Sequence, residues 1–315
     1  MEQGFNMELK RQQEWSWLLA IWLFLGGSGS GLFLLFEIFD LPPFFALISL
    51  SSVLLGGVVL LSELGNPLRA WRAICRPSTS WLSRGVLFVS FFILSGFLAV
   101  APEFAAFSWL PWNGGSALGG VLGWIAGLSA LMITLYPGFF LSANRAIPFW
   151  NTPILPVVFF TYAVMGASGI VLLAAPFLKD GVGQIVSLAA VPIVVNLFMV
   201  SVYLLTMNRS GGAAKESVRL LNRAPLGWTF WIGVMGVGMI LPLPVILWFH
   251  PALVLAGAGI LIGGLLFRYS VLKAGVYVPS ALIAGGVDLS RLNRTGDDLE
   301  REYAGMAGHG ADGGG

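Results

Sequence analysis

Apolar residues gather into eight long stretches, at 16–39, 44–62, 85–101, 117–141, 153–178, 182–207, 224–249 and 251–267, separated by short polar or proline-containing connections. Crossing a hydrocarbon core takes roughly 20 apolar residues in a helix, and every stretch is close to that length or above it. In lipid each backbone N–H needs a partner within the structure, so only helices or a closed barrel can span, and a barrel would show shorter, alternating segments. The pattern therefore predicts an all-α integral membrane protein with eight transmembrane helices, packed as two four-helix bundles. Three regions follow: a polar segment at 1–15, a membrane domain at 16–286, and a polar tail at 287–315 ending in GHGADGGG, whose composition predicts disorder. The polar start and the long first apolar stretch, with no small-residue cleavage site, argue against a cleaved signal peptide.

Charge sharpens this picture. Only 10% of the 315 residues are charged, and 57% are hydrophobic. Sixteen of the seventeen Lys and Arg residues fall on one side of the eight stretches, among them Lys10, Arg11, Arg69, Arg72, Arg76, Arg84, Arg145, Arg209, Arg223, Arg268 and Lys273; Lys179 alone falls on the other. By the positive-inside rule the basic side is cytoplasmic, and eight spans return both termini to it. The expected location is a bacterial cytoplasmic membrane, with a lipid environment and no nucleic-acid partner. The opposite loops carry Asp40, Glu103, Lys179 and Asp180.

Composition also limits the chemistry. The chain has one cysteine, Cys75, and two histidines, His250 and His309. Intramembrane haem needs paired ligands and iron–sulfur clusters need about four cysteines. Neither group is expected in this chain, nor a metal site, and Cys75 reads as a lone reduced thiol. His250, between Phe249 and Pro251, reads as a loop histidine rather than a proton relay.

Ionisable groups at membrane depth are costly and become functional candidates. Glu63 closes the second stretch: either it is a general acid/base at the inner face, or a water-exposed helix end paired with Arg69 or Arg72. Glu37, with Asp40 beyond it, reads as an interfacial carboxylate. The segment from Tyr136 to Pro153 carries Ser142, Asn144, Arg145, Asn151 and three prolines, which predicts a broken helix end lining a cavity. Tyr136 can donate a hydrogen bond to a carbonyl while its ring packs in apolar surroundings. Trp15, Trp17, Trp22, Trp71, Trp81 and Trp150 gather on this side as an aromatic belt. Glycines at 26, 27, 29 and 31, and at 119, 120, 123 and 127, read mainly as close helix packing, with clearance for a flat ligand as the other possibility.

Five pieces carry a family resemblance: WLLAIWLFLGGSGSG from Trp17, the segment from Tyr136 to Gly169, Arg268 to Gly275, and more weakly Glu63–Arg69 and Ser80–Arg84. In this order across eight spans, the chain resembles the NrfD/PsrC membrane subunits of nitrite, polysulfide and related reductases. The resemblance implies a subunit without redox cofactors of its own, exchanging electrons between quinone or menaquinone and a ferredoxin-like iron–sulfur subunit. A molybdopterin or other catalytic subunit would lie beyond that partner. It places the quinone near the first helix and the fourth-helix tyrosine, which here means Trp17, Trp22, Glu63, Tyr136 and Asn144. Tyr136 and Glu63 would be the reacting groups, with Arg69, Arg84 and Arg145 stabilising charge or docking the partner. Leu19 and Trp22 stand where some relatives place Asn and His. Around Pro192 only Asn196 is found where some carry an acid, which argues against proton pumping. A passive anchor and, less well supported, a secondary transporter are the rival classes. Family geometry puts the partner on the side of both termini, so either the partners face inward or the arginines serve docking and the orientation is reversed.

Overall fold

A computed structural model describes residues 10–15, 17–63, 80–178, 186 and 188–278, with the side chain of residue 63 left aside. Among them, eight helices are long and apolar enough to cross a membrane. They are α1 (Trp17–Phe39), α2 (Phe44–Glu63), α3 (Trp81–Val100), α4 (Ala117–Ser142), α5 (Ile154–Ala174), α6 (Ala190–Arg209), α8 (Leu226–Trp248) and α9 (Leu253–Lys273). A short amphipathic helix, α7 (Gly212–Leu221), lies between α6 and α8 and buries Ala213, Ala214, Val218 and Leu221 while exposing Lys215 and Arg219.

Helices α1–α4 form one group and α5, α6, α8 and α9 the other, joined where α1 and α4 pack on α5 and α1 meets α9. The two most buried spans are α1 and α5, so the expected pair of four-helix bundles shares a central seam. Close approach around α1 rests on glycine. A Cβ at Gly31 would lie 2.6 Å from the Ala163 carbonyl oxygen, and one at Gly29 would lie 2.8 Å from Ser52 Cβ. Ser49 then donates to the Gly29 carbonyl at 2.7 Å, bracing α2 on α1.

The structure departs from the sequence expectation in two boundaries and one winding. Helix α3 begins four residues earlier than 85, because Ser80 accepts a hydrogen bond from the Ser83 N–H and caps it. The last helix runs six residues past 267, to Lys273. In the seventh span, Thr229–Ile240 winds as a wide π-helix, and Leu241 N–H donates five residues back to the Gly236 carbonyl at 2.9 Å. This span crosses α9 at glycine on glycine: a Cβ at Gly238 would sit 2.7 Å from Gly263 Cα.

The two ends of the described chain meet. Arg11 bridges Val276 in antiparallel fashion, Gln12 N–H donates to the Gly275 carbonyl at 2.9 Å, and Tyr277 N–H donates to the Lys10 carbonyl at 2.9 Å. Val278 N–H reaches the Ala146 carbonyl at 2.9 Å, tying the clasp to the loop after α4. Burial and the Glu14 carboxylate hold the Tyr277 hydroxyl above the ordinary phenol range. The segments before α1 and after α9 thus lie on one side, as an even number of spans requires.

Candidate functional site

The residues around Tyr136 form an aromatic nest at the basic end. Tyr136 lies in α4, buried, with its ring over Gly85 of α3; a Cβ at Gly85 would lie 2.5 Å from the ring carbon Cζ. Glycine at 85 is what lets the tyrosine lie there. One turn on, Phe140 packs on Tyr136 at 5.9 Å, and Trp15 stacks on Phe140 at 5.7 Å and on Trp150 at 4.9 Å. On the neighbouring side Trp81 stacks on Phe139, with centroids 5.4 Å apart, and the Arg84 guanidinium lies 4.6 Å above Trp81. The nest therefore joins the segment before α1, the start of α3 and the end of α4. Within it the Tyr136 hydroxyl makes no hydrogen bond to a described residue.

Pro137 does not break α4, which continues to Ser142. The loop beyond it is packed rather than open, contrary to the cavity expected there: Phe149 and Trp150 are fully buried. Trp150 donates to the Val271 carbonyl at 2.9 Å, Tyr203 donates to the Phe149 carbonyl at 2.6 Å, and Asn151 donates to the Ser142 carbonyl at 2.5 Å. The polar residues that looked like cavity lining are mostly spent on holding this loop.

Of the expected site residues, Tyr136 and Arg84 come together, whereas Trp17 and Trp22 face elsewhere. Trp17 stacks on Tyr269 of α9 at 3.9 Å. Trp22 is buried against Gly26 and Gly56, filling the α1–α2 contact. The Asn144 side-chain oxygen accepts from the Ala146 N–H at 3.0 Å, a turn-holding role, and Arg145 is exposed beside it. Glu63 is the last residue of α2. Arg69 lies outside the described residues, as do Arg72, Cys75 and Trp71. His250 sits exposed in a short turn, as expected. Asn196 is fully buried, accepting from Thr161 at 2.8 Å and donating to the Pro192 carbonyl at 2.7 Å, so it braces α5 on α6.

Sequence reasoning placed Arg268 among the loop cations of the basic side, and the structure corrects this. Arg268 is fully buried inside α9, donating from Nε to the Leu23 carbonyl at 3.0 Å and from Nη1 to the Gly264 carbonyl at 2.8 Å. Its guanidinium lies 5.6 Å from the Phe24 ring and 6.0 Å from the Phe159 and Tyr162 rings. Gly27 makes room for it, since a Cβ there would meet Nη2 at 2.9 Å. The signal was present in Val271 and Leu272, which prolong the apolar stretch beyond the charge and leave Lys273 as its basic end.

The sequence profile described as "Polysulphide reductase, NrfD" matches residues 6–280, nearly the whole chain and all eight spans. The chain belongs to the NrfD family. It is 28% identical to Protein NrfD of Escherichia coli (strain K12) over 304 residues, covering 83% of this chain and 94% of that protein. To the polysulfide reductase C subunit of Wolinella succinogenes it is 26% identical over 297 residues, with the same two coverages. A Protein NrfD homolog of Haemophilus influenzae is 29% identical over 161 residues, 46% of this chain and 50% of that protein.

This NrfD-family protein is a multi-pass membrane protein with unlike ends. The basic end holds the aromatic nest. The acidic end holds a cavity of about 1090 Å³ between the ends of α1, α3 and α4, lined in part by Glu37, Asp40, Glu103 and the α4 glycines. Asp40 takes a left-handed backbone conformation, with φ 51°, in the tight turn between α1 and α2. Here the packing reading of the α4 glycines fails at Gly120 and Gly127, where a Cβ would meet nothing within 4 Å, but holds at Gly119, where it would press on the Asn113 backbone.

Proposed function

We propose that this chain is the membrane subunit of a respiratory oxidoreductase, taking up quinol or quinone at its basic end and exchanging electrons with a ferredoxin-like iron–sulfur subunit docked there. Family membership supports the coarser part of this reading, since one relative is named as part of a polysulfide reductase and is matched over 94% of its length. The observation that supports the finer part is the Tyr136 hydroxyl, set in a ring of aromatic side chains with no hydrogen bond to a described residue. The ring is buried but the hydroxyl oxygen is not among the enclosed, unpartnered atoms, so it is open to a ligand, and a quinone oxygen would accept from it.

In this reading Tyr136 donates a hydrogen bond to the quinone oxygen, while Phe139, Phe140 and Trp81 supply flat apolar surface. Glu63, at the inner end of α2, takes or gives the proton that accompanies reduction or oxidation. The two-electron chemistry is the quinone's own, and the protein contributes position and field. Arg84 and the exposed Arg145 add positive potential at this end, which favours negative charge developing on the quinone oxygen and attracts an acidic partner face. Trp17 and Trp22 take no direct part, because their rings pack on Tyr269 and on the α1–α2 contact.

The test is quinol-dependent against dye-dependent turnover of the intact complex carrying Tyr136→Phe or Glu63→Gln. Loss of one functional hydrogen bond, about 1.4 kcal/mol, lowers the quinol-dependent rate about tenfold in Tyr136→Phe. Dye-dependent turnover stays unchanged, because the dye bypasses this subunit. Unaltered quinol turnover in both variants would leave a passive anchor as the better description.

A further inference from the structure

The cavity at the acidic end is not used by the proposed quinone chemistry, which lies at the opposite face. Its floor is the glycine side of α4. Gly120 and Gly127 open onto empty space, and a Cβ at Gly123 would lie 3.8 Å from a carboxylate oxygen of Glu37. Trp124, 82% exposed, stands beside this open side and shows that the groove faces outward from the bundle. From Gly119 to Leu131 the lining follows α4 for about 18 Å at 1.5 Å per residue. That is close to one leaflet of a hydrocarbon core about 30 Å thick. Hydrocarbon fills such a groove in a bilayer, so the open question is which headgroup sits at its mouth.

Charge decides between headgroups. The mouth carries Glu37, Asp40 and Glu103, and no Lys or Arg is among the described lining residues. None of the three carboxylates makes an ion pair with a described residue. An anionic lipid would be repelled there, and a quinol, although its hydroxyls can donate to a carboxylate, brings no positive charge to balance three negative ones. A primary ammonium carries three N–H donors as well as its charge, whereas a quaternary choline ammonium has no donor.

We propose that this groove is a binding site for an aminophospholipid, with one acyl chain along the glycine face of α4 and the primary ammonium among Glu37, Asp40 and Glu103. The protein, purified in mild detergent with the subunits that accompany it, would be titrated with phosphatidylethanolamine, its N-acetylated form and phosphatidylcholine of the same acyl composition. Native mass spectrometry then reads the retained adducts. Phosphatidylethanolamine is expected to be retained about fivefold better than the other two, as one added charge-assisted contact provides. Glu37→Gln, Asp40→Asn and Glu103→Gln together abolish that preference. Gly120→Leu, whose side chain enters open space and leaves the packing intact, abolishes retention itself. Equal retention of the three lipids, an unchanged preference in the triple variant, or displacement of the lipid by menaquinone each overturns the proposal.

Discussion

Arg268 carries a charge with no carboxylate beside it among the described residues, and it is held by two carbonyls on different helices. Its Nη2, the Tyr162 hydroxyl and the Ser28 and Ser270 hydroxyls lack partners among those residues, which makes the α1–α5–α9 junction the most polar part of the buried seam. Buried ionised groups are expensive, and their hydrogen bonds only offset the expense when the geometry is good. Arginine meets that condition because its planar fork reaches the Leu23 and Gly264 carbonyls at once, whereas a lysine ammonium is a single point of charge on a flexible stem. Arg268→Lys is therefore expected to lower stability by about 2 kcal/mol, one charge-assisted hydrogen bond lost. Arg268→Met should be milder, since it removes the buried charge along with its partners and roughly keeps the volume. Thermal unfolding in detergent ranks the three proteins, and a lysine variant as stable as the parent contradicts this account. The residue escaped sequence reading for a physical reason. A charge near the end of an apolar stretch looks like a loop cation until the next turn is known to be helical.

At the scale of the element, the number of spanning helices was legible from apolar length alone, because a bilayer leaves the backbone few options, whereas the amphipathic α7 was not. The ends were less so. Ser80 starts α3 through a local cap that apolar counting ignores, and Pro137 sits inside α4 without ending it. Only part of the candidate site could be read. Tyr136 was identifiable as a phenol in apolar sequence, but its seat depends on Gly85, far from it in the chain, and nothing local to Trp17 shows that its ring lies on Tyr269. Glycines show the limit most clearly. Gly29 and Gly31 of α1, and Gly238 and Gly263 at the α8–α9 crossing, meet backbone, whereas Gly120 and Gly127 of α4 meet nothing, although sequence alone does not tell them apart. What a missing side chain means is decided by the helix opposite. Gly238→Ala, whose Cβ would press on Gly263 Cα, is expected to cost about 2 kcal/mol through overpacking. Gly120→Ala should instead stabilise α4 by up to about 1 kcal/mol through helix propensity. Equal effects of the two substitutions would show that the two faces do not differ as described.

At the scale of the whole molecule, two independent facts bear on orientation. The clasp of Gln12 on Gly275 and of Tyr277 on Lys10 places the segments before α1 and after α9 on one side, whatever side that is. The distribution of Lys and Arg then predicts which side it is. Removing Arg268, which the bundle swallows, leaves fifteen basic residues assigned to that side against Lys179 alone, and the inequality is undiminished. The positive-inside rule counts residues in short loops near the spans, and Arg84, Arg145, Arg209 and Lys273 are such residues at the ends of α3, α4, α6 and α9. Fusions at the amino and carboxy termini should therefore report the same compartment, and that compartment should be the cytoplasm. A reporter that fluoresces only inside, paired with a phosphatase active only outside, distinguishes the cases. Opposite compartments for the two termini would contradict the clasp. A shared external compartment would keep the fold, reverse the insertion, and assign the basic end to docking an acidic partner outside the cytoplasm. The aromatic nest around Tyr136 lies on the clasp side, through the Trp15–Phe140 stack, so the same measurement states which side of the membrane the quinone chemistry proposed for it would serve.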